Sequence, residues 1–383
     1  MPRHYGLDWL RIGAFAILIL YHVGMVFVPW DFHVKLAREN WVTWPMLAVN
    51  AWRLGLLFVV SGYASRALLT RAPAAGRFLA DRSRRLLVPL LFGICVIVPP
   101  QPWVELVTQH GYTGGFLRFW TRDYFTFGTV AGIVLPTWNH LWFVLYLWVY
   151  TLALGLALLA GRPAWLQRAF DRVFGGVGVV LLPTAYAVAL HAWWLPFARE
   201  THGLVDDPVA HLMYLPAFLF GFALARSEAA LAAIARWWPL ALALALLGYG
   251  AVLAVEVSWP GDVRAPLWVY PWYGAAHALQ QWGGIVALIG IADRWWNRDA
   301  PVRAMLTEAV FPFYLVHQTI IVVVAYWLLG AGLPPLVDFI VLVAATALGC
   351  WLNYRWGREV SWLRPLIGLR PATSGTSAAA GSR

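Results

Sequence analysis

The stretch LDWLRIGAFAILILYHVG, residues 7–24, decides the fold class. It is long and apolar enough to cross a bilayer as a helix. Yet it carries Asp8 and Arg11 at one end and His22 near the other. Lipid disfavours all three, which makes each a candidate for function. Arg11 and His22 are eleven residues apart. At about 100° per residue they fall within roughly 20° of each other on the helix surface, separated by roughly 16 Å along the axis. Asp8, one turn before Arg11, is placed as an i,i+3 partner that orients the guanidinium.

Similar apolar stretches recur along the whole chain of 383 residues, which is 61% hydrophobic and 12% charged. Mean hydropathy is +0.66. A soluble domain is about one quarter charged. The sequence therefore reads as an all-α polytopic membrane protein with ten transmembrane helices, at about 9–29, 44–64, 86–107, 139–160, 174–195, 211–225, 237–257, 272–292, 309–329 and 336–354. The sixth is the shortest. The 25 Trp residues cluster near span ends, as interfacial anchors do.

Net charge is +10, and the arginines explain it without nucleic acid. Twenty Lys and Arg fall in the N-terminus, in 65–85, 161–173, 226–236, 293–308 and after 354. Six fall in the alternate loops: Lys35, Arg38, Arg118, Arg122, Arg199 and Arg264. This positive-inside asymmetry places both termini in the cytoplasm and requires an even number of spans. Cys95 and Cys350 lie in apolar runs, so neither a disulfide framework nor a metal site is expected. The start, MPRHYGLDWLR, reads as a signal anchor rather than a cleaved signal peptide. A single membrane domain, 1–370, is followed by a tail, 371–383, whose composition predicts disorder. The 108–138 loop, rich in aromatics and glycine, reads as a folded cap.

The polar residues inside the spans carry the chemistry. His22 lies roughly 20 Å from the cytoplasmic mouth marked by Arg11. Arg11 either holds a phosphate there or snorkels to lipid head groups. His22 is either a general base for a hydroxyl or a bond to a neighbouring helix. Acyl-coenzyme A, with a phosphate-rich head, a slender arm and a terminal thioester, fits this spacing. In the second span Arg53 lies roughly 16 Å deep. It requires an anion: a carboxylate on another span, a thioester oxyanion, or a carboxylate on the acyl group. Ser61 and Gly62, near the end of the same helix, mark a place of close backbone approach. In the ninth span His317, followed by Gln318, is roughly 15 Å deep, in the same central layer. His140 opens the fourth span near the outer face, where an acceptor would enter or where it simply packs. Arg82, Arg84 and Arg85, in DRSRRLLVP (81–89), belong to the positive-inside loop or bind the coenzyme's phosphates. His4, His33, His110, His191, His202, His211 and His277 show no supporting pattern and read as surface or helix-contact residues.

Four of these stretches, LDWLRIGAFAILILYHVG, RLGLLFVVSGY, NHLWFVLYL and FPFYLVHQTIIV, resemble the acyltransferase-3 family of integral membrane O-acyltransferases. In length and span number the chain is similar to the family's glucan succinyltransferase branch. The resemblance implies Arg11 and His22 as the catalytic pair. It places His317, Arg53 and Ser61 toward the thioester or acyl group, and His140 toward the acceptor. It also implies acyl-CoA as donor co-substrate, with no permanently bound cofactor. It further implies an acetyl or succinyl acyl group, an acceptor hydroxyl on a periplasmic or envelope glycan, and a location in the bacterial inner membrane. The competing class is a transporter of a small anionic or acylated solute. That class predicts inverted repeats and paired broken helices, and the sequence shows neither.

Overall fold

A computed structural model describes residues 4–71, 75–161, 163–193, 200–261 and 263–371. The tail expected to be disordered therefore lies outside the described residues, apart from Pro371. The architecture is all-α. Twelve helices carry the fold: α1 (Tyr5–Gly24), α2 (Thr43–Arg71), α3 (Ala75–Phe92), α4 (Pro100–Gln109), α5 (Trp142–Ala160), α6 (Ala164–Phe174), α7 (Gly178–Trp193), α8 (Pro208–Leu224), α9 (Glu228–Ser258), α10 (Val269–Ile291), α11 (Pro301–Leu328) and α12 (Pro335–Gly357).

Among the described residues, eight helices are long and apolar enough to cross a membrane, and nine if a bent pair counts as one span. Helices α3 and α4 act as one such span, Ala75–Gln109, joined through a π-turn at Gly93–Ile97. Each of the ten expected spans thus has a helix, with two differences. The fifth is preceded by α6, which meets α7 at 93°. One broken element exists where the sequence showed none, but it has no paired counterpart among the described residues. The sixth, α8, has 17 residues, about 26 Å of helix, near the lower limit for crossing the hydrocarbon.

Helix α10 is the most enclosed, with 72% of its apolar window buried, against 22% for α9 and α12. Helices α1, α2, α10 and α11 form the centre; α8 packs on α2, α4 on α11, and α5 on α3. Small residues permit the tightest crossing. A Cβ on Gly62 of α2 would lie 1.9 Å from the Phe218 carbonyl, and one on Gly221 of α8 would lie 1.9 Å from the Val59 carbonyl. Only glycine at both positions allows these backbones to meet.

The 108–138 segment is a folded cap. It holds a short hairpin, Gly128–Val130 with Ile133–Leu135, and packs Phe119, Tyr124 and Leu135 on Leu106 of α4. The Tyr124 hydroxyl sits between the carbonyls of Ile94 and Thr137, at 2.8 and 3.0 Å. The Trp120 indole N–H donates to the Cys95 carbonyl. Aromatic residues suit this place because their rings bury area while their polar edges bond the backbone.

Candidate functional site

A polar cavity of about 850 Å³ opens where α1, α2, α4, α5, α7, α8, α10 and α11 converge, and His22, Arg53, His140 and Gln318 are among its lining residues. His317 is fully buried behind it. The Nδ1 of His317 lies 2.7 Å from the carbonyl of Tyr314, one turn earlier in α11. A carbonyl only accepts, so that nitrogen carries the hydrogen. In the neutral ring Nε2 then holds the lone pair. His22 Nδ1 lies 3.1 Å from this Nε2 and donates to it. The remaining nitrogen, His22 Nε2, is left as an acceptor. Helix α11 therefore sets the tautomer of His22.

His140 is buried beside them, its ring centroid 5.1 Å from that of His317. Its Nε2–H donates to the Leu315 carbonyl at 3.2 Å. Its own carbonyl accepts the Tyr314 hydroxyl. Its Nδ1 accepts from the Gln101 amide at 3.3 Å. Gln101 is the hub of this side. It also donates to Thr319 Oγ1 at 2.7 Å, and its oxygen accepts from Asn139 and Gln318, each at 3.0 Å. Its two donors and two acceptor sites are all engaged. Gln318 continues outward, donating to His33 Nε2 at 3.2 Å, while His33 Nδ1–H donates to the Glu105 carboxylate at 2.5 Å. The loop bearing His33 is held by α4 as well, since Gln109 Nε2 donates to the carbonyls of Phe32 and His33. Lys35 folds the same loop back on α1, donating to the carbonyls of Met25 and Val28. Burial, with Arg38 nearby, pushes the Lys35 ammonium pKa down to about 8, against the opposite pull of Asp31.

On another side of the cavity Arg53 is 7% exposed. Its guanidinium lies 3.4 Å above the Tyr21 ring. Arg53 Nη1 and the Tyr21 hydroxyl both donate to Asn50 Oδ1, at 2.6 and 3.1 Å. Among the described residues no carboxylate pairs with Arg53, and its Nε has no protein partner. His22 and His277 are close enough to feel its charge. His277 Nδ1 also lacks a partner among the described residues, and His191, His277 and Glu200 all line this cavity. The ring centroids of His191 and His277 are 5.0 Å apart.

At the arginine-rich end of α1, Arg11 Nη2 donates to the Thr307 carbonyl at 3.4 Å. Arg82 and Arg85 are both near enough to Arg11 to interact electrostatically, and Arg370 and Glu308 lie near Arg85. Arg84 is exposed. Asp8 has a partner that spacing alone does not indicate. Its Oδ2 lies 2.7 Å from Arg303 Nη1, and Arg303, only 4% exposed, also holds Asp299. This ion pair ties α1 to α11. Ser61 does not line the cavity; its carbonyl accepts the Ser65 hydroxyl. Among the described residues no three His, Cys, Asp or Glu gather as a metal-ligand set.

The structure thus brings together His22, His317, His140 and Arg53, and it adds residues that patterning passed over. Glu105 carried a usable signal, because it is the one carboxylate inside the third expected span. Gln101, Asn50, His33, His191 and His277 carried none, since their importance comes from partners distant in sequence.

The family model described as "Acyltransferase domain" (Acyl_transf_3) matches residues 4–355. Similar curated proteins include "Glucans biosynthesis protein C" of Salmonella paratyphi B, 25% identical over 340 residues, which cover 83% of this chain and 82% of that protein. The protein of that name from Salmonella enteritidis PT4 gives the same figures. That of Salmonella schwarzengrund is 28% identical over 174 residues, covering 44% of this chain and 41% of the relative. No solved structure matches the chain.

Proposed function

The chain belongs to the acyltransferase-3 family of membrane acyltransferases, and on that premise we propose that it moves an acyl group from cytoplasmic acyl-CoA to a hydroxyl of a periplasmic or envelope glycan. The observation that carries this reading is the His317–His22 bond, which leaves His22 Nε2 as an acceptor at the cavity wall. That nitrogen takes the proton of the acceptor hydroxyl as its oxygen attacks the thioester carbonyl carbon. The tetrahedral intermediate collapses, the C–S bond breaks, and the imidazolium returns the proton to the departing thiolate. The glycan acceptor is inferred from the relatives' name, glucans biosynthesis protein C.

Each polar cluster then has a role. Arg11, Arg82 and Arg85, with Arg84 at the exposed rim, hold the coenzyme's phosphates. Like charges gathered at one place favour a polyanion between them. Arg53, whose Nε lacks a partner, receives either the developing oxyanion or the far carboxylate of a succinyl group. His140 shapes the acceptor side through its bonds to Gln101 and Leu315. Coenzyme A is a passing co-substrate, so no resident cofactor is required. With the arginine-rich loops inside, the protein sits in the bacterial inner membrane with both termini in the cytoplasm.

The test is acyl transfer from radiolabelled acetyl- or succinyl-CoA to envelope glycan in proteoliposomes. Replacing His22 with Ala is expected to abolish transfer while the protein still purifies as a folded species. Turnover retained by that variant overturns the His22 role. Solute uptake without thioester cleavage would favour the transporter class.

A further inference from the structure

A second cavity, larger and different in kind, lies on the far side of α8. Its volume is about 1600 Å³, above the roughly 300–1,000 Å³ of a pocket for a drug-sized ligand. Its walls are apolar, with Leu154, Leu158, Leu190, Phe220 and Ile285 among them. It shares only Met213 with the polar cavity, so it is a separate site.

One end of this cavity is cationic. Arg66 of α2, Arg168 of α6 and Arg226 beyond α8 all line it. They converge on the C-terminal end of α8. The Arg66 guanidinium lies 4.5 Å over the Phe222 ring, and Gln167, beside Arg168, donates to the Ala223 carbonyl at 3.2 Å. Arg168 and Arg226 are exposed and make no ion pair among the described residues. The helix that supplies Arg168 is amphipathic. It exposes Trp165, Leu166 and Val173 and turns 93° away from α7, as a helix lying in the membrane interface does.

We propose that this cavity binds an anionic diacyl phospholipid of the surrounding bilayer. The phosphate sits among Arg66, Arg168 and Arg226, and the acyl chains fill the apolar space. Charge complementarity selects the occupant. A zwitterionic lipid satisfies the walls equally but adds a cation next to three arginines, whereas an anionic head group adds none. Basic pockets between membrane helices recognise anionic head groups in this way. The inference is independent of the acyl-transfer reading, since none of its residues takes part in that chemistry.

Native mass spectrometry of the purified full chain tests it, with dioleoyl phosphatidylglycerol and dioleoyl phosphatidylcholine supplied in equal amounts. The wild type is expected to retain phosphatidylglycerol about tenfold more, the effect of one charge-assisted hydrogen bond. The R66Q/R168Q/R226Q variant loses that preference, while an R294Q/R298Q control keeps it. A187W, which fills the cavity and leaves the arginines in place, lowers retention of both lipids. If the triple variant does not fold, R168Q alone, changed on the exposed helix, reads a partial loss of preference. Equal retention of the two lipids by the wild type overturns the proposal. So does unchanged preference in the folded triple or in R168Q, unchanged retention in A187W, or a lipid-free dimer seated on this face.

Discussion

The polar cavity has two unlike sides. On the side built by α4 and α11, polar groups are matched within the protein. Gln101 uses its full bonding capacity, His140 is held at both ring nitrogens, and His33 lies between Gln318 and Glu105. On the side built by α2, α7 and α10, Arg53 Nε and His277 Nδ1 have no partner among the described residues. Buried polar groups are normally matched, and exceptions cost free energy unless a ligand meets them. A saturated network resists rearrangement and so holds its members in one geometry. On the proposed reading the difference is a division of labour: one side would fix the position and tautomer of the base His22, and the other would receive the substrate.

Substitutions on each side separate the two roles. The largest effect is expected for His317→Ala. It removes the acceptor that holds His22 Nδ1–H and should lower kcat by about 10²–10⁴, the usual worth of a positioned base. KM for acyl-CoA should change little; a rise in KM with kcat intact would place His317 on the binding side instead. Arg53→Met comes next. Loss of one charge-assisted contact predicts about a tenfold fall in kcat/KM. If Arg53 grips an acyl carboxylate, the fall is seen with succinyl-CoA and not with acetyl-CoA; an equal fall with both identifies the oxyanion role. Gln101→Leu strips partners from His140, Asn139, Thr319 and Gln318. It should destabilise the fold by about 1–3 kcal/mol for each group left unmatched, read as a lower thermal midpoint in detergent. An unchanged midpoint would show that the network does not brace that side. The smallest effect belongs outside the cavity. Tyr124→Phe removes one hydroxyl from the cap and should cost about 1 kcal/mol without altering turnover.

The parts of the site legible in the sequence were those whose type is costly in lipid. Arg53 and the His22–Arg11 pair declare themselves because an ionisable group within a span needs a reason. Glu105 meets the same criterion. Asp8 shows one limit of what spacing reaches: its carboxylate is held by Arg303, which is 295 positions away. Ser61 shows another. Its neighbour Gly62 does mark a close backbone approach, but the approach is to α8, not to substrate.

What the sequence alone determined is the all-α membrane class and the positions of the spans along the chain. Hydropathy, helical rise and loop charge act locally, so each is readable without knowing any contact. Which spans touch, which nitrogen of His22 is left as an acceptor, which wall is saturated, and that a second, arginine-rimmed cavity exists were decided by tertiary structure. Those properties depend on partners brought together from distant helices, and a hydrogen bond between α1 and α11 has no signature in the spacing of either one.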